Sequence, residues 1–494
     1  MNQDRRNSLW LAVQYSVTII FSLITLKLNL VNYGQELFGS WILVSSLWGL
    51  GRVVDFGLGT SVLKFAAEFH HKAFSDLKYL ISTCFYLMIV LGIFIFIVIL
   101  VLGELLYFGN KNLFSADHYE QLRDIFIVLG VSFYLSYISI IIKSFFEGMG
   151  NFVTPSKINI IYVSSILVSV VICFIFNLQI LILAYSFLIC SLLNLIFTFI
   201  LFRVYYPDIR ISWKFARVDF AKKVFSFSLA IQGSTILGSL IDPLIKYLIG
   251  NFSSVGLVSI YEIARRFVTA IAGLFNNTFR PILPKASILT TKEDYKDFVY
   301  GECAKLSKLG ITYSGTVFGM GALFIPIIIQ QVFNYDEAIL MYFILAIPES
   351  INNFGYSIYN FIIGIEKAYF LALVQLINLT IIGLSVSAGL IIFGNTLGLL
   401  GYGLTVVLVN ILMLIFVREA AGISIRKYFT ISKIYKLIIL LLLLLGSIFI
   451  LYYNFSYLYG LLVVLGIISV AIFGSDLKNY SKVILNKIDF RRDV

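Results

Sequence analysis

The segment Gly34-Gln-Glu-Leu-Phe-Gly-Ser-Trp41 leads into an apolar run that contains Arg52-Val-Val-Asp55-Phe-Gly-Leu-Gly59. A bilayer core requires about 20 apolar residues, so most of this run is predicted to cross a membrane. Charged side chains at that depth are unfavourable unless they face protein or a water-filled cavity. A spacing of i, i+3, i+7, i+10 and i+14, which predicts one helical face, relates Ser45, Trp48, Arg52, Asp55 and Gly59. The run therefore predicts a membrane helix whose polar face lines a cavity.

The composition places the whole chain among membrane proteins. Of its 494 residues, 60% are hydrophobic and 13% are charged, whereas soluble domains carry about 25% charged residues. We therefore expect an all-α polytopic membrane protein. Cys84, Cys173 and Cys190 lie inside apolar runs and predict core or lipid-facing thiols rather than disulfides. The three histidines lack metal-ligand spacing, and the sequence predicts neither a metal site nor a cofactor.

Apolar stretches separated by polar loops predict about 14 transmembrane helices. These predicted spans 1 to 14 are, in order, Leu9–Leu30, Ser40–Phe65, Tyr79–Leu102, Ile125–Phe146, Ile158–Phe176, Ile180–Phe202, Phe225–Ile249, Leu257–Phe279, Leu306–Gln330, Ile339–Ile363, Tyr369–Phe393, Leu399–Val417, Leu437–Tyr453 and Tyr457–Phe473. Basic, amphipathic connections mark the boundaries between groups of spans. The predicted organisation is a six-helix lobe (1–202), a basic linker (203–223), a second six-helix lobe (224–417), a basic loop (418–436), two further spans (437–473) and a basic tail (474–494).

The distribution of positive charge predicts the orientation. Most of the 37 Lys and Arg residues fall in loops on the side of the two termini, whereas Lys111 and Arg123 fall on the opposite side. Because positively charged loops remain in the cytoplasm, both termini are predicted to be cytoplasmic. The net charge of +11 reflects this bias, and nucleic-acid binding is not expected.

The two predicted lobes look like repeats of the same orientation. When Phe38-Gly39 is aligned with Val255-Gly256, the polar face of span 2 falls on a second polar face in span 8. That second face carries Glu262, Arg265, Thr269 and Asn276. Span 7 adds a stripe with the spacing of the first, which carries Gln232, Thr235, Ser239, Asp242 and Lys246, and Lys27 in span 1 corresponds to Lys246. We expect spans 1, 2, 7 and 8 to line one hydrated cavity on a twofold axis along the membrane normal.

Each of these charges also has a structural interpretation. Lys27 and Lys246 lie near span ends, where lysine side chains extend toward the membrane interface. Asp242 and Lys246 are four residues apart and can neutralise each other. Arg52 and Asp55 can do the same, and Arg266, which lies off the stripe, can pack between helices. The concentration of charge in the first two spans of each lobe favours the cavity.

Several short motifs resemble one family of transporters. The motifs are Gly34-x-x-x-Phe-Gly39-x-Trp41, Asp55-Phe-Gly-Leu-Gly59, Lys64-x-x-Ala-Glu68, Val255-Gly256, Tyr261-Glu-x-Ala264-Arg and Pro281-x-x-Pro284. They are similar to those of the polysaccharide-transport branch of the MOP exporters, the flippases for O-antigen and capsule repeat units. Related proteins include the MATE drug antiporters and the lipid II flippase. The resemblance implies a V-shaped, MATE-like alternating-access transporter of the bacterial inner membrane, and not an enzyme.

The resemblance also implies a cargo and roles for the polar residues. The cargo would be an oligosaccharide linked to undecaprenyl pyrophosphate, moved from the inner to the outer leaflet. Pyrophosphate is anionic, and cationic side chains suit it; the candidates to bind it are Arg52, Arg265, Lys27 and Lys246. Further cavity-lining candidates are Ser45, Trp48, Tyr261, Thr269, Asn276, Gln232 and Ser239. Candidate carriers of a coupling H⁺ or Na⁺ are Asp55, Asp242, Glu262 and Glu349. Polysaccharide polymerase machinery is a further expected partner.

Three other functions fit the sequence less well. A MATE-type drug exporter would need an anionic cavity and an acidic residue in span 1, which has none. An enzyme would need catalytic groups on a sizeable outer loop, and the outer loop of any length, 103–123, looks like a solvated connection. A lipid II-type flippase would be expected to line its cleft with more than two arginines. A phosphate-binding Gly-Lys-Ser/Thr loop is also lacking, so an ion gradient or the membrane potential is the expected energy source.

Overall fold

The computed structural model describes residues 3–49, 57–72, 74–109, 113–114, 118–222, 224, 236–279, 289, 291–365, 367–393, 396–428, 431–452 and 464–473. Within these ranges all regular secondary structure is helical. The principal helices are α1 Gln3–Gly49, α2 Leu58–Lys72, α3 Leu77–Gly103, α4 Tyr119–Gly148, α5 Val153–Ile175, α6 Ile180–Tyr205, α7 Ile241–Phe252, α8 Val255–Phe279, α9 Lys292–Phe298, α10 Ala304–Ile328, α11 Asp336–Gly364, α12 Ala368–Phe393, α13 Leu400–Ala421, α14 Ile431–Tyr452 and α15 Val464–Phe473. A short π-helical turn, Glu104–Phe108, continues α3. Two others flank α10: Val299–Cys303 precedes it and Ile329–Phe333 follows it.

The predicted fold class is confirmed. Nine helical stretches of the described chain are long and apolar enough to cross a bilayer, and two shorter apolar helices lie near the C-terminus. Predicted spans 1 and 2 contribute one of the nine, because α1 runs through the first span into the second. Helix α8 is 25 residues long but carries Glu262, Arg265 and Arg266. The chain is a multi-pass α-helical membrane protein.

The prediction that span 2 is one continuous helix is wrong. Gly57, which lies inside predicted span 2 and just before α2, has a φ of 66°, and Gly34, in the connection between predicted spans 1 and 2, has a φ of 75°. These are left-handed backbone conformations that glycine adopts readily and other residues resist. The chain therefore changes direction at both positions, and Gly59 does not share a helical face with Ser45. The intervening residues, Arg52 and Asp55 among them, lie outside the described ranges.

The chain forms two compact units, Met1–Ser259 and Ile260–Val494. This division falls inside α8, whereas the predicted lobe boundary is the linker 203–223. The reason is that α7 packs against α1 within the first unit, hereafter unit 1. The predicted repeat lobes therefore stay a prediction.

Helix α4 is the centre of unit 1 and packs against α1, α2, α3 and α6, while α5 packs against α1 and α6. A core of fully buried side chains joins these helices, and Leu80, Ile141 and Phe145 are examples. The predicted surface linker is attached to this bundle, because the Ser82 hydroxyl of α3 donates to the Arg210 carbonyl oxygen (3.3 Å) and accepts from the Ser212 amide (3.2 Å).

Helix α11 is the centre of the second unit, hereafter unit 2, and packs against α10, α12, α13 and α14. A polar cluster links α10 and α11, in which the Ser307 and Ser357 hydroxyl oxygens are 2.8 Å apart and the Tyr428 hydroxyl bonds to Ser307. Helix α15 packs directly on α10, where the Phe473 ring fills the space that a side chain at Gly315 would occupy. A glycine at such a position allows two helices to approach closely in a membrane.

Candidate functional site

The two motifs used to align the repeats, Phe38-Gly39 and Val255-Gly256, meet in unit 1. A Cβ atom added to Gly39 would overlap the Val255 carbonyl oxygen and would lie 2.9 Å from the carbonyl carbon and 3.3 Å from Cγ1. Next to this contact, a Cβ atom on Gly256 would lie 3.6 Å from the Gln35 Cβ. The second half of α1 therefore packs backbone-to-backbone against the first turn of α8, and position 39 has room only for glycine.

Helix α7 extends the same contact. A Cβ added to Gly250 would lie 3.0 Å from the Leu43 side chain of α1, and the Tyr247 ring stacks on Tyr107 with centroids 5.9 Å apart. By the predicted orientation these residues lie near the outer membrane surface. Within unit 1, the second half of α1, α7 and the first turn of α8 are thus packed together.

The charges of α7 neutralise each other, as the structural alternative predicted. The Lys246 Nζ lies 2.7 Å from the Asp242 Oδ2, and their side chains are 8% and 29% exposed. Since a buried charge is stable only when paired, each side chain requires the other. This pairing weakens the prediction that Lys246 binds cargo and that Asp242 carries an ion, and both roles stay predictions.

Trp48 is buried in unit 1, and its predicted role in lining a cavity stays a prediction. Its side chain is 1% exposed, its Nε1 donates to the Phe126 carbonyl oxygen at 2.8 Å, and its ring stacks on Phe96. Tyr261, also predicted to line the cavity, is fully buried. Aromatic side chains of this size stabilise a core, and their helical spacing alone cannot separate that role from ligand contact.

The structure describes only some of the remaining predicted site residues. Ser45 and Ser239 are half-buried, and each hydroxyl donates within its own helix, to the carbonyl oxygens of Ile42 (3.1 Å) and Ile236 (2.7 Å). Lys27 is half-buried in α1. Gln232, Thr235 and the side chain of Asn276 lie outside the part of the chain that the structure describes, as do Arg52 and Asp55, and their roles stay predictions.

Unit 2 contains an ion pair between two charged residues of α8. The Arg266 Nε lies 2.8 Å from the Glu262 Oε1, so the arginine outside the predicted stripe is a partner of the acid on the stripe. Thr269 is exposed, and its hydroxyl donates to the Arg265 carbonyl oxygen at 2.8 Å. The side chains of Arg265 and of Glu349 on α11 are half-buried, and their roles stay predictions.

One charged site was missed by sequence reasoning. Lys143 of α4 is buried, and its Nζ donates to Asn159 Oδ1 (2.7 Å) and Asn194 Oδ1 (3.3 Å) on α5 and α6. A hydroxyl cluster continues this polar network between the same helices, with Ser132 and Ser191 2.8 Å apart. The available signal was a lysine within span 4 together with an asparagine in each of spans 5 and 6.

No metal site is evident in the described ranges, where no group of three His, Cys, Asp or Glu side chains could hold an ion.

Residues 5–287 match the model of the family described as polysaccharide biosynthesis protein, which spans more than half of the chain. The chain belongs to this family. No protein among those with curated functions matches this polysaccharide biosynthesis protein.

Solved structures place this family member in the fold of the MOP superfamily. The lipid II flippase MurJ in an inward closed conformation has a TM-score of 0.66 and 16% identity over 96% of this chain and 99% of its own. An inward-facing MATE multidrug transporter has a TM-score of 0.61 and 15% identity over 83% and 94%. The Vibrio cholerae MATE transporter VcmN has a TM-score of 0.58 and 12% identity over 87% and 100%. These proteins are a flippase and two transporters, and not enzymes. The predicted resemblance is confirmed.

Proposed function

We propose that this polysaccharide biosynthesis protein is a flippase of the bacterial inner membrane with cytoplasmic termini. It moves an undecaprenyl-pyrophosphate-linked oligosaccharide from the inner to the outer leaflet by alternating access. The match of residues 5–287 to the polysaccharide biosynthesis family carries the proposal, and we assign Arg265 of α8 as the cargo-binding cation with Glu349 of α11 as its counter-ion. A cation inside a membrane protein is a binding group for an anion, since the anion can take the place of an acid beside it.

The chemistry of the pair suits a pyrophosphate headgroup. The planar guanidinium of Arg265 can bind two phosphate oxygens at once, and such charge-assisted hydrogen bonds are stronger than neutral ones. Glu349 competes with the cargo for Arg265, so protonation of Glu349 favours the loaded state. Of the four predicted ion carriers, Glu349 is therefore the one that we assign to H⁺ coupling, since Asp242 and Glu262 have lysine and arginine partners of their own. Arg52 and Asp55 remain proposed cavity residues.

The contact between Gly39 and Val255 supports the transport cycle. In the proposed orientation it holds the second half of α1 against the first turn of α8 on the outer side of unit 1. Release of cargo to the outer leaflet requires this contact to separate, and backbone packing without interlocking side chains can separate and re-form as one unit.

The test is export of surface polysaccharide in a strain that lacks its own repeat-unit flippase. We expect Arg265→Lys to export partly, Arg265→Ala to reduce export about 10- to 100-fold, and Arg265→Glu to abolish it. The magnitude follows from about 1.5–3 kcal/mol for hydrogen bonds to charged groups. Arg203→Ala, at the end of α6, removes a cation from outside the proposed site and should export normally.

Normal export by all three Arg265 variants, at normal membrane levels, would remove Arg265 from the cargo site. A second measurement separates the drug-exporter alternative. If the wild-type chain confers resistance to a cationic dye and restores no polysaccharide, the cargo is a drug and the proposed function is wrong.

A further inference from the structure

A cavity of about 640 Å³ lies in unit 1, between α1, α5 and α6. It opens where α1 and α5 begin and α6 ends, so its mouth lies at one membrane interface. The charge distribution of the sequence predicts that this interface is the cytoplasmic one. The proposed function makes no use of this cavity.

Two cations from different helices face the cavity. Arg6 belongs to α1 and Lys157 to α5, and both side chains are exposed. Within the described ranges neither makes an ion pair, and Lys157 instead has its Nζ 5.1 Å from the centre of the Trp10 ring. Two cations without a carboxylate partner make the mouth of the cavity electropositive, which suits a phosphate group.

The wall below the cations is apolar. Ile161 of α5 and Phe197 and Leu201 of α6 line it, and Ile161 and Phe197 are exposed. Ile161 lies one helical turn beyond Lys157 on α5, so the apolar wall extends about 6 Å beyond that cation at about 1.5 Å per residue. A polar mouth above an apolar wall of this depth matches the headgroup and upper acyl chain of a lipid.

Local hydrogen bonds hold the mouth in place without a ligand. The Asn7 Nδ2 donates to the Gly150 carbonyl oxygen at 3.1 Å and joins α1 to the turn before α5. The Asn151 Oδ1 accepts from the Thr154 amide at 3.1 Å. Because the mouth is already formed, binding requires little ordering of the chain.

We propose that this cavity binds an anionic glycerophospholipid. Arg6 and Lys157 bind the phosphate, and one acyl chain lies along Ile161 and Phe197. The lipid fills the space between α1, α5 and α6 and stabilises unit 1. Free phosphate satisfies the cations but leaves the apolar wall uncovered, and a zwitterionic lipid supplies no net charge, so the proposal requires both an anionic headgroup and an acyl chain.

The experiment is native mass spectrometry of the full-length purified protein titrated with phosphatidylglycerol. We expect Arg6→Gln and Lys157→Gln each to weaken binding about five-fold, which corresponds to about 1 kcal/mol per cation near an anionic surface. Ile161→Trp, which narrows the apolar wall at an exposed position, should also reduce binding. Arg203→Gln is the matched control, since it removes a cation from the same end of α6 outside the cavity and should leave binding unchanged.

Four outcomes would overturn the proposal. They are equal binding by the wild-type and Arg6→Gln/Lys157→Gln proteins, equal binding of phosphatidylcholine, full competition by sodium phosphate, and stronger binding of undecaprenyl pyrophosphate than of phosphatidylglycerol. The last would make the cavity a loading site for cargo. Unchanged thermal melting of the lipid-free variants confirms that they fold, so a loss of binding is then a property of the cavity.

Discussion

Substitution of Gly39 by alanine tests whether α1 and α8 touch in the membrane. The added Cβ would lie 2.9 Å from the Val255 carbonyl carbon, and ordinary contact begins at 3.4 Å, so the two backbones must separate by at least 0.5 Å. The carbonyl oxygen lies closer still and cannot rotate away as a side chain could. Overpacking of this kind costs about 1–3 kcal/mol, which lowers the equilibrium ratio of packed to separated conformations about 5- to 150-fold.

Disulfide formation measures that population directly. A Cβ on Gly256 would lie 3.6 Å from the Gln35 Cβ, inside the range of about 3.5–4.5 Å that a disulfide needs. The Gln35→Cys/Gly256→Cys protein should therefore cross-link rapidly under mild oxidation, since the four native cysteines are buried. Adding Gly39→Ala should slow cross-linking, by up to the factor above.

Gly49→Ala is the control, because it lies on the same helix and its added Cβ would meet no atom within 4 Å. Alanine favours a helix over glycine by about 1 kcal/mol, so a loss at Gly39 alone must be steric. Equal cross-linking rates with glycine and alanine at position 39 would refute the contact. If cross-linking slows but polysaccharide export stays normal, the contact exists and is not part of the transport cycle.

Three further substitutions test the charged groups. Lys246→Ala removes the ion-pair partner of Asp242 and should lower the unfolding free energy by about 1–3 kcal/mol. The loss should be smaller than for a fully buried pair, because Asp242 is partly exposed. In a thermal melt, the variant with alanine at both positions should recover most of the loss. Lys143→Met leaves the amide oxygen of Asn159 without this hydrogen-bond donor and should lower the unfolding free energy by about 1–3 kcal/mol. A second change, Asn159→Leu, should restore part of the melting temperature. Additive losses in the two variants would argue against the hydrogen bond. Glu349→Gln should retain cargo binding and lose the dependence of export on the proton gradient in membrane vesicles; unchanged dependence would assign coupling to another group.

Sequence determined the class and family of this protein. The length and frequency of the apolar runs leave no alternative to membrane helices, because an apolar backbone segment in lipid must satisfy its own hydrogen bonds. The glycine motifs around Gly39 and Val255 identified the family and also marked a real contact. Two helix backbones can approach closely only where a side chain is absent, so a glycine in an apolar helix indicates such a contact in the sequence itself.

Tertiary structure alone decided which polar and aromatic residues serve the site. Helical spacing placed Trp48 on the same face as the predicted polar residues, but only the position of α4 shows that this face meets the core there. A spacing of four residues permits an ion pair between Glu262 and Arg266, but only the structure shows that the pair forms. A sequence pattern fixes which side chains share a face of one helix; which neighbour that face meets depends on glycine turns such as Gly34 and Gly57 and on packing between helices distant in the chain.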